Sequence, residues 1–315
     1  MPKVLSASGS ALHLKSKTMP SLKGQNLRVF SGQKVIAMAS NCTITFQNNT
    51  SDESHKDIVG MAALPNIVSK AWSVQVESFD VMDMTELLYA MKGLASFQLF
   101  WDETSPTNNQ NPAQADFRRM GAAYLTDATF TFNDRESASK NITFTGKSPI
   151  AAAPQTSIQT VPVGAFTKGQ FTRLFLGNDN SGNPDKVIAF AKQLSFHVSV
   201  TLEDASTKDT EGIFQVQEPT AINFDITTQA LVRSADAITS SVGGQTFNDL
   251  ETIYEQNGPV SFDIANVGDE NNRSKTSSLI TGSVVLQTLT LNAPNRQVAT
   301  YTAQLQGYGI YEVSH

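Results

Sequence analysis

The chain has 315 residues, enough for two domains of ordinary size, each with its own core. A net charge of −6 argues against a sequence-reading nucleic-acid binder, which would carry a basic face. The single cysteine, Cys42, excludes an intrachain disulfide or a cysteine-based metal cluster. No apolar run approaches the roughly 18 residues of a membrane span, and the N-terminus lacks an apolar stretch of signal-peptide length.

Residues 1–23 form an arm that carries Lys3, Lys15, Lys17 and Lys23; the first acid in the chain is Asp52. Strand patterns follow. Arg28 to Phe30 is β-prone, 35–39 is apolar with Gly32-Gln33 turning before it, and Cys42, Ile44 and Phe46 alternate with Thr43 and Thr45. Residues 47–56 are polar and turn-rich. Trp72, Val74 and Val76 then alternate with polar neighbours. At 82–91 the period changes: Met84, Leu87, Leu88 and Met91 fall on one face of a helix, with Gly93 placed to cap it. A strand at 96–101, a long polar loop at 102–117 and a hairpin built from 121–133 and 140–145 complete this region. Residues 151–168, rich in Pro and Ala, read as a linker.

The order then repeats. Gly24-Gln25 and Arg28, Phe30 and Gly32 recur as Gly169-Gln170 and Arg173, Phe175 and Gly177; Lys34-Val35-Ile36-Ala37 recurs as Lys186-Val187-Ile188-Ala189. Lys56-Asp57 with Gly60 recurs as Lys208-Asp209 with Gly212. Tyr89, Gly93, Ser96 and Phe97 recur as Tyr254, Gly258, Ser261 and Phe262. Residues 121–146 match 282–307, with Arg135/Arg296 and Ala138/Ala299 in step. Five ordered matches point to an internal duplication: copy 1 at 24–150 and copy 2 at 169–315. The second copy repeats the helix at 247–256, the long loop at 265–278 and the final hairpin at 282–305, and has Ile222 where the first has Trp72. A mainly β, antiparallel barrel or sandwich with one flanking helix is the expected closure of each copy.

Candidate chemistry is sparse. His13 lies in the arm, His55 in a polar turn and His315 at the last position; His197 alternates with Phe196 and Val198 and reads as a solvent-face strand residue. No histidine has a partner at metal-ligand spacing, and no nucleophile-elbow motif is present. The Asn-rich insert at 178–185 resembles a calcium loop, but its glycine is misplaced and no glutamate closes it. The reading is therefore of a protein that is not an enzyme, with no cofactor and no metal.

Thr126 to Phe130 with Ala138 to Gly146, and Thr288 to Arg296 with Ala299 to Gly309, resemble the strand–turn–strand ending of phage major tail proteins. Lys56-Asp57 followed by Trp72 is similar to that family's upstream pattern. The resemblance spans about 24–150 and 169–313. It implies a tail-tube fold shared with the inner tubes of contractile tails and type VI secretion, with subunits joined edge to edge into rings that stack into a hollow tube. It implies a virion-tail protein assembled in the bacterial host cytoplasm, its partners being itself, a tape measure and a tail terminator. Duplex DNA would pass through without specific binding. Three two-domain chains closing a pseudo-hexameric ring are favoured over six. The long loops and the arm are expected to contact the next ring, through Lys15, Lys17, Asn108, Asn109, Asn271 and Asn272. The lumen is expected to be neutral to acidic, with Asp249, Glu251, Glu255, Asp263, Asp269 and Glu270 as acids of the second copy. A distal-tail or baseplate ring, and a carbohydrate-binding β-sandwich with exposed aromatics, are the alternatives.

Overall fold

The computed structural model describes residues 27–31, 34–36, 39–53, 65–79, 81–105, 108–112, 119–152, 167–177, 184–208, 212–232, 244–268 and 275–314. The first half holds strands β1 (Leu27–Ser31), β2 (Lys34–Val35), β3 (Ala39–Asp52) and β4 (Pro65–Ser78), then helix α1 (Met84–Lys92). Strands β5 (Ser96–Ser105), β6 (Asn108–Pro112), β7 (Arg119–Asn133), β8 (Ser139–Gly146) and β9 (Ala151–Ala152) complete it. The second half holds β10 (Thr172–Leu176), β11 (Lys186–Val187), β12 (Ala191–Asp204), β13 (Gln217–Leu231), α2 (Phe247–Glu255), β14 (Val260–Val267), β15 (Lys275–Asn292) and β16 (Thr300–Val313). The chain is mainly β.

All sixteen strands join one antiparallel sheet. The first half runs β3-β4-β8-β7-β5-β1-β2 and the second β12-β13-β16-β15-β14-β10-β11, the same order. The strand pair that links them is β12 with β7, and Lys70 of β4 also bridges Phe214. The expectation of a barrel closed within each copy is corrected: the path runs from β11 to β2, with no closing pair among the described residues. The reason lies in β7. Its one side is filled by β8, and its other side is divided between β5 at 119–124 and β12 at 127–133.

Irregularities recur as well. A bulge lies between Ala39 and Asn41 against β4, and another between Ala191 and Gln193 against β13. A second pair of bulges lies between Leu125 and Asp127, and between Leu286 and Thr288. Arg135 and Arg296 turn the two last hairpins at φ of 61° and 62°, a left-handed conformation that side chains seldom adopt. The Ile36 amide donates to the Val29 carbonyl, and the Ile188 amide to that of Leu174.

The helix face is the one the sequence indicates: Met84, Leu87, Leu88 and Met91 are buried, and Met82 is exposed. Its cap differs. Gly93 keeps helical angles, and the left-handed residue is Leu94, at φ 51°; Asn257 does the same after α2, also at 51°. The helix starts and these caps align Leu94 with Asn257. Correspondingly, Leu99 opposes Gly121 as Phe262 opposes Gly282. The match of Phe97 with Phe262 is therefore two residues out of step. So is that of Trp72 with Ile222. Trp72 lies against Gly146 and Gly121, and it is Phe224 that lies against Gly307.

Two polar stretches read as loops contain strand. β3 continues through 47–52 paired with 65–71, and within 102–117 β5 continues to Ser105 and turns into β6. Apart from the pairing of 102–103 with β1 and a bridge from Lys70 to Phe214, both are two-stranded ribbons. With little core beneath a ribbon, alternation carries no signal, while backbone pairing needs no apolar side chain.

One core cluster runs through both halves, from Trp72, Phe130 and Phe144 to Phe196, Phe224, Phe262 and Tyr311. Tyr311 meets Phe196 and Phe224 edge to face, with centroids 5.8 and 5.6 Å apart.

Candidate assembly interface

The junction between the halves is built from β7 and β12. Leu194, Phe196 and Val198 face Phe132, Phe130 and Ala128 in register, and all six are buried. The opposite face of β12 carries His197. Its Nε2 donates to Asp127 Oδ2 on β7 at 2.8 Å, and its Nδ1 to Asp225 Oδ1 on β13 at 2.7 Å. One imidazolium thus clips three strands. The hydrogen bonds to Asp127 and then Asp225 raise its pKa from 6.5 to about 10, against the opposing pull of desolvation. Sequence placed His197 on the outer face correctly, but its partners lie 70 and 28 positions away and become neighbours only through register.

Helix α1 strengthens the junction from the first half. The Tyr311 hydroxyl on β16 donates to the Leu88 carbonyl at 2.8 Å, and Lys92 pairs with Glu312. Burial raises the Tyr311 pKa far above its usual range, so the hydroxyl stays a donor. The other end of α1 is held by the fully buried Lys140 of β8, ion-paired with Asp83. An unpaired ammonium there would be costly, so this pair fixes the helix to the hairpin.

Two further strand edges are open among the described residues. β3 pairs on one side only, with β4; the last turn of β15, Thr288 to Asn292, pairs only with β16. Exposed apolar side chains cluster there: Phe46 on β3 (64%) and Leu291 on β15 (50%), with Val298 in the following turn. A groove of about 340 Å³ lies beside β3, lined by Phe46, Trp72, Pro149, Ile150, Ile213 and Phe214.

Of the residues expected to contact a neighbouring ring, Asn108 and Asn109 fall on β6, where Asn108 opposes Ser105. Lys15, Lys17, Asn271 and Asn272 lie outside the described residues, as do 1–23, Lys56-Asp57 and most of the 178–185 insert. Among the acids considered for a lumen, Asp263 is buried and accepts from Lys275 Nζ at 2.7 Å and Ser278 Oγ at 2.6 Å, so it presents no charge to a channel. Asp249 accepts from the Thr246 amide at 2.7 Å, capping α2. Glu251 and Glu255 are exposed; Asp269 and Glu270 lie outside the described residues. Trp72 is buried, its Nε1 donating to the Ser148 carbonyl at 2.7 Å, and offers no sugar platform. Among the described residues no cluster of three or more His, Cys, Asp or Glu could hold a metal, and no helix is long and apolar enough to cross a membrane.

No protein-family model matches the chain, and no curated protein matches it in sequence. Among solved structures it is similar to the tail of an empty gene transfer agent particle refined with C6 symmetry, at 12% identity and a TM-score of 0.36 over 47% of this chain and 99% of that one. It is also similar to a chain in the virion of a native gene transfer agent particle, at 12% identity and a TM-score of 0.33 over 47% of this chain and 99% of the other. The tail tube of SPP1 gives 11% identity and a TM-score of 0.35 over 46% of this chain and 78% of the other.

Proposed function

We propose that this chain is the tail-tube subunit of a tailed bacteriophage or related particle, made of two tandem copies of one domain. The observation that carries the reading is the junction itself. Two halves with the same strand order and the same bulges are already joined edge to edge in one sheet, and among the described residues the equivalents of the two joined edges, on β3 and at the end of β15, remain open. An open edge in a soluble monomer is a liability; in a polymer it is the means of assembly. The closing-hairpin motifs of both halves support the same class.

In this reading three chains supply six domains to a ring, and rings stack into the conduit for DNA ejection. Tape measure and tail terminator proteins are the other partners, in the virion tail. The arm 1–23 and the loops around Asn108–Asn109 and Asn271–Asn272 meet the next ring. The channel lacks a basic stripe, because each cation facing phosphate would add salt-sensitive affinity and hold the genome back. Negative-stain imaging of the purified full chain, with symmetry averaging, tests the proposal. Hollow rods with three chains per ring are expected. Rods with six chains per ring would overturn the trimer, single rings would favour a baseplate component, and monomers with glycan affinity would favour the carbohydrate-binding alternative.

A further inference from the structure

The internal junction contains the geometry of the next one. Residue equivalences between the halves are fixed by pairing. Ala39 opposes Ser78 as Ala191 opposes Ala230, which equates β3 with β12. Leu125 opposes Phe144 as Leu286 opposes Leu305, which equates β7 with β15 and β8 with β16. In the junction, Leu194 opposes Phe132, Phe196 opposes Phe130 and Val198 opposes Ala128.

We infer that the tip of β15 pairs antiparallel with β3 of a second copy of this chain in the transferred register: Ala293 opposite Cys42, Leu291 opposite Ile44 and Leu289 opposite Phe46. Three observations favour this occupant over an unrelated protein. Both edges are open among the described residues, and each lies where the other half has a partner strand. Apolar residues fall opposite apolar residues throughout the transferred register. The positions that stay exposed are those whose equivalents the junction buries: Phe46 (64%) corresponds to Val198 (0%), and Leu291 (50%) to Phe130 (0%).

The helices give the same answer by a separate route. α1 reaches across to the second half, where Tyr311 bonds its Leu88. Ala151 opposes Met120 as Glu312 opposes Thr281, so Ile150 is the equivalent of Tyr311. Ile150 lines the apolar groove beside β3. The equivalents of Leu88 and Met91 on α2 are Glu251 and Tyr254, both exposed. α2 of one chain thus lies over Ile150 of the next, with Tyr254 at the groove. The contact is head to tail, so it extends to rings or filaments instead of stopping at a two-fold dimer.

This inference rests on the tube reading for its biological setting, but not for its geometry. The test uses the full-length chain and its native Cys42. Ala293→Cys is oxidised under assembly conditions and run on a non-reducing gel, beside wild type, Ala293→Cys with Cys42→Ser, and the register controls Leu291→Cys and Asn295→Cys. Adjacent cross-strand pairs alternate in separation, and only one kind suits a disulfide, so Thr43→Cys with Asn292→Cys in a Cys42→Ser background is run in parallel. A ladder of cross-linked chains from either in-register pair, absent from wild type and the controls, is the expected result. Cross-linking at 291 or 295 instead, or at no position in tubes visible by negative stain, overturns the register while leaving the tube reading intact. An in-register ladder without tubes sustains the register and removes the tube reading. Chains that stay monomeric by sedimentation overturn both.

Discussion

β12 and β3 are both 14 residues long, each pairs with the strand that follows it, and each bulges at the same place. Yet β12 buries Leu194, Phe196, Val198 and Val200, whereas β3 buries none of its residues. The two differ in neighbours. β12 is flanked on both sides and covered by the core shared by the halves; β3 is flanked on one side among the described residues. Burial of a strand is thus set by what pairs with its second edge, and the residue choice follows: the apolar face of β3 is left partly buried at Ile44 and largely uncovered at Phe46.

The largest expected effect breaks the comparison inside the junction. Phe196→Ala should cost about 3–5 kcal/mol, because it empties a fully buried site against Phe224 and Tyr311. Ile44→Ala, at the equivalent half-buried site, should cost about 1 kcal/mol in the unassembled chain, since less area is lost. Urea unfolding of both variants measures the gap; equal costs would mean that the two edges are not in different environments.

A second comparison concerns the glycines under the large aromatics. A Cβ at Gly146 would stand 2.4 Å from the Trp72 ring, and at Gly307 it would meet both the Phe224 ring at 2.5 Å and the Phe224 backbone carbonyl at 2.7 Å. Each Gly→Ala change should cost about 1–3 kcal/mol. Trp72→Phe should recover much of the loss at Gly146 because a side chain is the obstacle. Phe224→Leu should recover little at Gly307, where backbone also blocks. A double-mutant cycle by thermal unfolding separates them.

The histidine clip exists only at the internal junction, for the residues equivalent to His197, Asp127 and Asp225 are Thr45, Thr288 and Ser73. His197→Gln should cost about 1–2 kcal/mol, a figure reduced from the full shift because the ring and both carboxylates are partly solvated. The pKa is raised on folding, so the stabilisation is complete below about pH 6.5, declines as pH rises and is gone once pH passes about 10. Unfolding free energies across pH 6 to 10 should converge for wild type and variant at the alkaline end; parallel curves would remove the clip.

The smallest effect on stability belongs to the open edge. Leu291→Asp should change the unfolding free energy of the unassembled chain by no more than about 0.5 kcal/mol, because the side chain is half exposed. The same change should abolish assembly, since a carboxylate would be buried without a partner against β3 of the next chain. Urea unfolding of the variant reads the first effect and sedimentation the second. Retained assembly would show that this edge is not the contact.

Periodicity determined the mainly β class and the helix with its buried Met84, Leu87, Leu88 and Met91, because burial on one face imposes its period on the residues themselves; the repeat was legible only in ordered motif matches. It could not determine register. A slip of two residues leaves every side chain on its own face, so Phe97 matched Phe262, and Trp72 matched Ile222, as well as the true neighbours would. Polar ribbons such as β6 and the distal part of β3 were illegible because backbone pairing leaves no mark on side chains that no core selects. The tertiary structure decided three things: that the halves share one sheet, that His197 sits between Asp127 and Asp225, and which edges are open among the described residues. Each depends on contacts between residues far apart in the chain, whose free energy lies in the pair and not in either residue.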